Sequence, residues 1–312
     1  MMTNTGNKDT RSGFGAGLYE LGSLNPAVVA LCADLTGSVK MEKFAETYPQ
    51  RFFQCGIAEA NMMGVAAGMA LSGLIPFVGT FAEFATGRVY DQVRQSICYS
   101  QANVKIAASH AGITLGEDGA THQTMEDLAL ARVLPNMTVI NPCDYNQTRL
   151  ATLAAASWDG PLYLRFGRPS VPNFTPVDGP FKIGEAWMIH PGEDVTILAT
   201  GHMVWEALEA VKILAEKGIR AELINIHTLK PLDEKAIIDS ARKTGAVVTA
   251  EEHLLAGGLG ELVAGLLSRH FPVPMRMVAM NDGFGQSGTP RELMDHYGLN
   301  AASIVNKVCE LR

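Results

Sequence analysis

The chain has 312 residues, of which 47% are hydrophobic and 18% charged, enough apolar sequence for two compact domains with their own cores. A formal net charge of −7 and a pI near 5.6 exclude the clustered Lys and Arg that nucleic acid or an anionic membrane would require, which leaves small-molecule work. Five scattered cysteines without a CxxC pair make neither a disulfide framework nor a zinc site, and no apolar run reaches the roughly 18 residues of a membrane span, so with a polar N-terminus the reading is a cytoplasmic protein.

In chain order, short apolar runs rich in β-branched residues recur at Val28 to Cys32, Val104 to Ala108, Thr138 to Ile140 and Leu162 to Leu164, separated by helical spacing or by Gly/Pro loops. That alternation predicts a mostly parallel sheet covered by helices. The stretch from Gly167 to Pro176 is too rich in prolines for an element interior and reads as a linker. Beyond it the pattern restarts with strands at Val195 to Ala199, Ala221 to Ile226 and Ala246 to Ala250 and an amphipathic helix from Val204 to Lys217. The expected fold class is therefore α/β, two doubly wound domains, the second smaller.

Polar residues in these patterns mark the candidate site. Glu59, in the segment Gly56 to Met62, opens a helix between the apolar stretch Arg51 to Cys55 before it and the small-residue stretch Met63 to Ala70 after it. Two readings are open there, an acid complementing the positive end of a helix dipole and a carboxylate that does chemistry. Thr80-Phe81-Ala82-Glu83-Phe84 places two aromatics three apart, which suits one helical face or ordinary core. The Gly-rich loop from His110 to Gln123 follows a strand, at the sheet end where α/β proteins bind ligands, and carries two histidines and two acids for polar contacts or proton transfer. Arg165, Arg168 and Arg11, each ordinary on its own, could together make an anion clamp. Gly257-Gly258-Leu259-Gly260 lacks the spacing of a dinucleotide fingerprint and reads as a tight turn into a helix.

Taken in order, Ala33-Asp34-Leu35-Thr36, Gly56-Ile57-Ala58-Glu59, Thr80-Phe81, Asp91-Gln92-Val93-Arg94, Gly116 to Gln123, Pro135-Asn136-Met137 and Glu251-Glu252-His253 resemble the transketolase family. The likeness runs from about Arg11 to Tyr297 and covers the family's second half, its pyrimidine-binding domain and its C-terminal domain. It implies a pyrimidine-binding domain at 8–170, a linker at 171–182 and a transketolase C-terminal domain at 183–312. It also implies a transferase that moves a two-carbon ketol unit from a ketose phosphate to an aldose acceptor, with thiamine diphosphate and Mg²⁺, within pentose phosphate and wider carbohydrate metabolism. The Gly-Asp-Gly and downstream Asn that hold the diphosphate and metal in thiamine enzymes are not in this sequence. The resemblance therefore implies a split enzyme whose N-terminal subunit supplies them on another chain, in an α2β2 heterotetramer, with no metal ligands on this one.

Residue by residue, the resemblance implies that Glu59 hydrogen-bonds and activates the cofactor's pyrimidine, that Phe81 and Phe84 pack on that ring, and that Asp34 lies close to the cofactor near the subunit interface. Arg11, Ser38, His110 and Arg165 match the positions that hold the sugar's terminal phosphate, and Asp118 and His122 those that contact its hydroxyls and carbonyl oxygen, with His110 and His122 as movers of substrate protons. Gly87 stands where the pattern has a third aromatic, so the ring pocket is remodelled. A 2-oxo acid dehydrogenase E1 β-subunit and a deoxyxylulose-phosphate-synthase-like subunit share parts of the pattern, and a catalytically silent assembly or regulatory subunit is the alternative of another class.

Overall fold

The computed structural model describes residues 2–312. Strand β1 (Asn7–Asp9) leads into helix α1 (Thr10–Leu24), whose first turn is closed by the Asp9 carboxylate accepting from the Ser12 amide. The first sheet is then laid down by β2 (Val28–Cys32), helix α2 (Glu42–Thr47), β3 (Phe52–Gln54), helix α3 (Glu59–Leu71) and β4 (Ile75–Phe81). Short helices α4 (Ala82–Thr86) and α5 (Tyr90–Gln92) follow, then β5 (Lys105–Ser109), α6 (Asp127–Val133), β6 (Thr138–Ile140), α7 (Tyr145–Ser157) and β7 (Leu162–Arg165). The central strands β2 and β5 are buried along their whole length because both of their faces are covered, and β2 accordingly reads as an unbroken apolar run. Helix α1 lies directly on α7, and only a residue without a side chain allows that approach: a Cβ on Gly13 would stand 2.3 Å from the Tyr145 carbonyl oxygen.

The proline-rich stretch is not wholly irregular, as the sequence suggested. Ser170–Pro172 forms β8, paired antiparallel with β1 in a two-stranded ladder. Pro172 survives in it because the strand sits at a sheet edge, where a missing amide donor breaks no ladder. The second sheet then forms from β9 (Trp187–His190), β10 (Val195–Ala199), helix α8 (Met203–Glu216) and β11 (Ala221–Asn225). After β12 (Thr228–Lys230) come α9 (Glu234–Thr244), β13 (Val247–Leu254), α10 (Leu259–His270) and β14 (Met275–Met280), and two helices close the chain, α11 (Pro290–His296) and α12 (Ala301–Cys309).

The two larger sheets run β12-β6-β7-β5-β4-β2-β3 and β14-β13-β10-β11-β9. In the first, β12 is antiparallel to β6 while the other pairs are parallel; in the second, only β9 is antiparallel. Strand β12 thus comes from beyond the proline-rich stretch and completes the edge of the sheet before it. One apolar cluster is shared across the same junction, with Val139 and Tyr163 joined to Leu198, Ile226, Leu229 and Leu259. The sequence pattern, which treats the two halves as separate, does not reveal this crossing.

Candidate functional site

The carboxyl ends of β2, β4, β5 and β7 deliver most of the predicted site residues to one edge of the first sheet, which is where open α/β sheets hold ligands. Glu59 is the first residue of α3 and only 3% exposed, in a helix otherwise made of small and apolar side chains. A burial this deep exceeds what a solvated dipole complement needs, and a buried carboxylate requires a partner. The partner is Arg88, whose Nη1 lies 3.2 Å and 3.3 Å from the two Glu59 oxygens.

Phe81 ends β4 and Phe84 sits on α4 with their rings stacked, centroids 5.7 Å apart and planes 16° apart. The His110 ring stacks on Phe81 with centroids 3.7 Å apart, and His122 meets Phe84 edge-on at 5.6 Å. The two histidines of the Gly-rich loop are thus brought onto the aromatic pair. His110 follows directly on β5 with a left-handed backbone (φ 59°) and its Nδ1 is 2.8 Å from Ser109 Oγ. Burial first, then the charges of Arg11, Arg168, His122 and Lys40, push its pKa down to about 3, so it is neutral at working pH. His122 Nδ1 pairs with Thr121 Oγ1 at 2.9 Å.

Next to His110 lies a group of cations. Arg11 reaches the Ser38 carbonyl oxygen at 3.0 Å and the Asp9 carboxylate at 3.4 Å. Arg168 donates to the Leu115 carbonyl oxygen at 2.8 Å and pairs with Glu117 at 3.0 Å and with Asp118 at 3.9 Å. Arg11 and Arg168 act on each other as well as on His110, and Lys40, on the same loop as Ser38, adds a third positive charge.

Arg165 is not in this group, and the expectation that it holds a substrate phosphate is corrected. Its side chain is 3% exposed, its Nε donates to the Asp127 carboxylate at 2.8 Å and its Nη2 to the Glu252 carbonyl oxygen at 2.9 Å. Its guanidinium is committed to holding the two sheets together, and Arg168, three residues on, takes the exposed position. Asp34, in a left-handed conformation (φ 60°) just past β2, is exposed, and its amide donates to Gln54 Oε1 at 2.7 Å.

Arg88 and Lys40 were missed by sequence reasoning. The signal for Arg88 was Gly87, the break in the aromatic pattern, next to which a long cation finds room. Lys40 gave no signal, since its position depends on a left-handed turn (φ 64°) that one lysine in a loop does not announce. The residues present fit the pyrimidine half of a thiamine site on one observation: a single arginine, Arg88, reaches both a buried carboxylate, Glu59, and a ring of the stacked aromatic pair, Phe84. Among the described residues no group of three or more His, Cys, Asp or Glu is placed to hold a metal.

Comparison with known proteins shows the family of the chain. Residues 7–173 match the family described as the transketolase pyrimidine-binding domain, and residues 184–304 match the transketolase C-terminal domain. The chain is 45% identical to the 6-deoxy-6-sulfo-D-fructose transketolase subunit SqwH of Clostridium sp. (strain MSTE9), covering 94% of this chain and 91% of that one. It is 38% identical to one of the subunits of the apulose-4-phosphate transketolase of Phocaeicola vulgatus, covering 96% of each. Among solved structures it is similar to a split gene transketolase described as an inactive beta4 tetramer, with a TM-score of 0.91, 48% identity and 98% of both chains covered.

Proposed function

We propose a division of labour for this chain that starts from its membership of the transketolase family, as the pyrimidine-binding and C-terminal subunit of a split transketolase. It is a transferase subunit, dependent on thiamine diphosphate, that moves a two-carbon ketol unit from a ketose phosphate to an aldose. In our reading the diphosphate and Mg²⁺ are held by an N-terminal partner subunit in an α2β2 assembly, located in the cytoplasm. We read the domains as 8–170 and 183–312 with a linker at 171–182, a division that the two matched stretches support.

Bound thiamine diphosphate supplies the electron sink that lets a carbon–carbon bond next to a carbonyl break and re-form. Everything else falls to protein side chains. Glu59 holds the pyrimidine ring by a hydrogen bond from inside a water-poor pocket, where one proton can be shared between carboxylate and ring. Phe81 and Phe84 give the ring a flat apolar wall, and Asp34 lies at its outer edge. Arg11, Arg168 and Ser38 hold the terminal anion of the sugar, with neutral His110 donating or accepting a hydrogen bond beside them. Once an anion sits there, it cancels the positive charges that help keep His110 neutral, so substrate binding itself readies that ring to take a proton. Asp118 and His122 reach the hydroxyls and carbonyl oxygen of the sugar, and His122 moves its proton.

The observation that carries the proposal is Glu59, buried at the start of α3 and linked through Arg88 to Phe84 of the stacked pair. The test is reconstitution with the partner subunit. The chain alone should bind almost no thiamine diphosphate, and the pair should bind it in the presence of Mg²⁺. Glu59→Gln in the pair should lower turnover by at least about a hundredfold, the lower end of what proton-transfer groups contribute. Near-normal turnover would sink the assignment. Product analysis with ketose phosphates and a sulfonated ketose names the donor, because both head groups are tetrahedral anions suited to the same arginines.

A further inference from the structure

Arg88 occupies both features that define the candidate ring pocket. Its Nη1 sits astride the two Glu59 oxygens, at 3.2 Å and 3.3 Å, so the outward edge of that carboxylate is already taken. Its guanidinium carbon stands 4.2 Å from the centroid of the Phe84 ring, covering a face on which a flat ring would stack. Its own side chain is about half exposed (51%), whereas that of Glu59 is 4% exposed, so the carboxylate is fixed and the arginine is free to leave. Glu83, on the same turn as Phe84, already feels the Arg88 charge and offers it a second carboxylate.

We propose that Arg88 is a placeholder for the aminopyrimidine. In the unassembled subunit it neutralises buried Glu59 and covers Phe84, and it must swing out towards Glu83 before the ring can enter. The inference rests on the reading of Glu59 as the cofactor carboxylate. Planar and positively charged, a guanidinium can both stack on an aromatic face and pair with a carboxylate. The Arg88–Glu59 pair stabilises the free chain at the expense of cofactor affinity, because each new ring must first break it.

Two measurements test this, one of which needs no cofactor. In the free chain Arg88→Gln leaves Glu59 buried and unpaired, so the thermal midpoint should fall by about 2–4 °C, the shift expected for roughly 1 kcal/mol in a domain of this size. Adding Glu59→Gln to Arg88→Gln should recover most of that loss. Additive losses would show that the two side chains are not coupled and would overturn the proposal. In the reconstituted pair, titration calorimetry should find thiamine diphosphate bound about tenfold more tightly by Arg88→Gln than by the native chain. Weaker binding would mean that Arg88 holds the bound cofactor rather than its place, and would overturn the proposal. If the native pair binds no thiamine diphosphate while the coupling in the free chain stands, the reading of the site fails and the placeholder role fails with it.

Discussion

At the scale of single residues, Arg165 and Arg168 lie three apart in one stretch and do different work. Arg165 is the last residue of β7, and the strand's alternation turns it inward onto Asp127. Arg168 lies past the strand end, where the backbone is free to turn its side chain towards Leu115 and Asp118. Replacing Arg165 with Leu strands a buried Asp127 without its charge partner, so stability should fall by about 3–5 kcal/mol. Replacing Arg168 with Leu should leave the thermal midpoint within about 1 °C, since exposed ion pairs contribute little, and raise KM for a phosphorylated donor at least about tenfold in the reconstituted pair. Thermal unfolding and steady-state kinetics of both variants check this, and the reverse pattern would return the substrate role to Arg165. Glu59 was legible in the sequence because a lone acid in a small-residue helix is conspicuous. The Arg165 error has a plain cause: one sequence shows how far apart two arginines are, not which one faces the groove.

At the scale of elements, the loop between β5 and α6 keeps its shape through contacts with the second half of the chain. Gly112 has φ +84°, and a Cβ there would stand 2.2 Å from Glu252 Oε1. That same oxygen accepts from the Thr114 amide at 2.7 Å, so Glu252 ties down the loop that carries Asp118 and His122. Gly112→Ala combines a left-handed backbone penalty of about 1–2 kcal/mol with this collision. Its thermal midpoint should fall by several degrees and its turnover with it; an unchanged midpoint would show that the loop absorbs the methyl group. The sequence announced this loop through its glycines. The ladder of β1 and β8 was hidden because prolines mask edge strands, and β4 because its end, Thr80-Phe81, runs straight into a helical turn with an aromatic in the same helical spacing.

At the scale of the whole molecule, burial of ionisable groups sets the response to acid. His110 is pushed down to about 3, and His227 and His253 to about 4 each, mainly by burial. All three values lie below the 6.5 of a free imidazole. As pH falls through 6.5 the unfolded chain takes up protons that the fold refuses, so stability present near neutral pH is lost. Glu251 works in the opposite direction, because burial raises it to about 7 and it binds a proton in the fold before it does in the unfolded chain. Glu83 is raised too, first by burial, and works in the same direction as Glu251, but three groups outweigh two, so the thermal midpoint should drop between pH 6.5 and pH 5. Scanning calorimetry across that range checks the sign, and a rising midpoint would contradict it.

The placing of β12 has a consequence for how the gene product can be divided. Its residues Thr228–Lys230 lie well beyond the proline-rich stretch, yet they cover the flank of β6. A protease that nicks the chain between residues 173 and 184 should therefore leave two fragments clasped together in native conditions. Expressed alone, residues 1–182 would carry β6 as an uncovered edge and should self-associate, which size-exclusion chromatography would detect; a monomeric, folded fragment would refute this. The evident seam in the sequence is thus a poor place to cut, since the molecule is stitched across it like a garment whose hem is sewn from the opposite side.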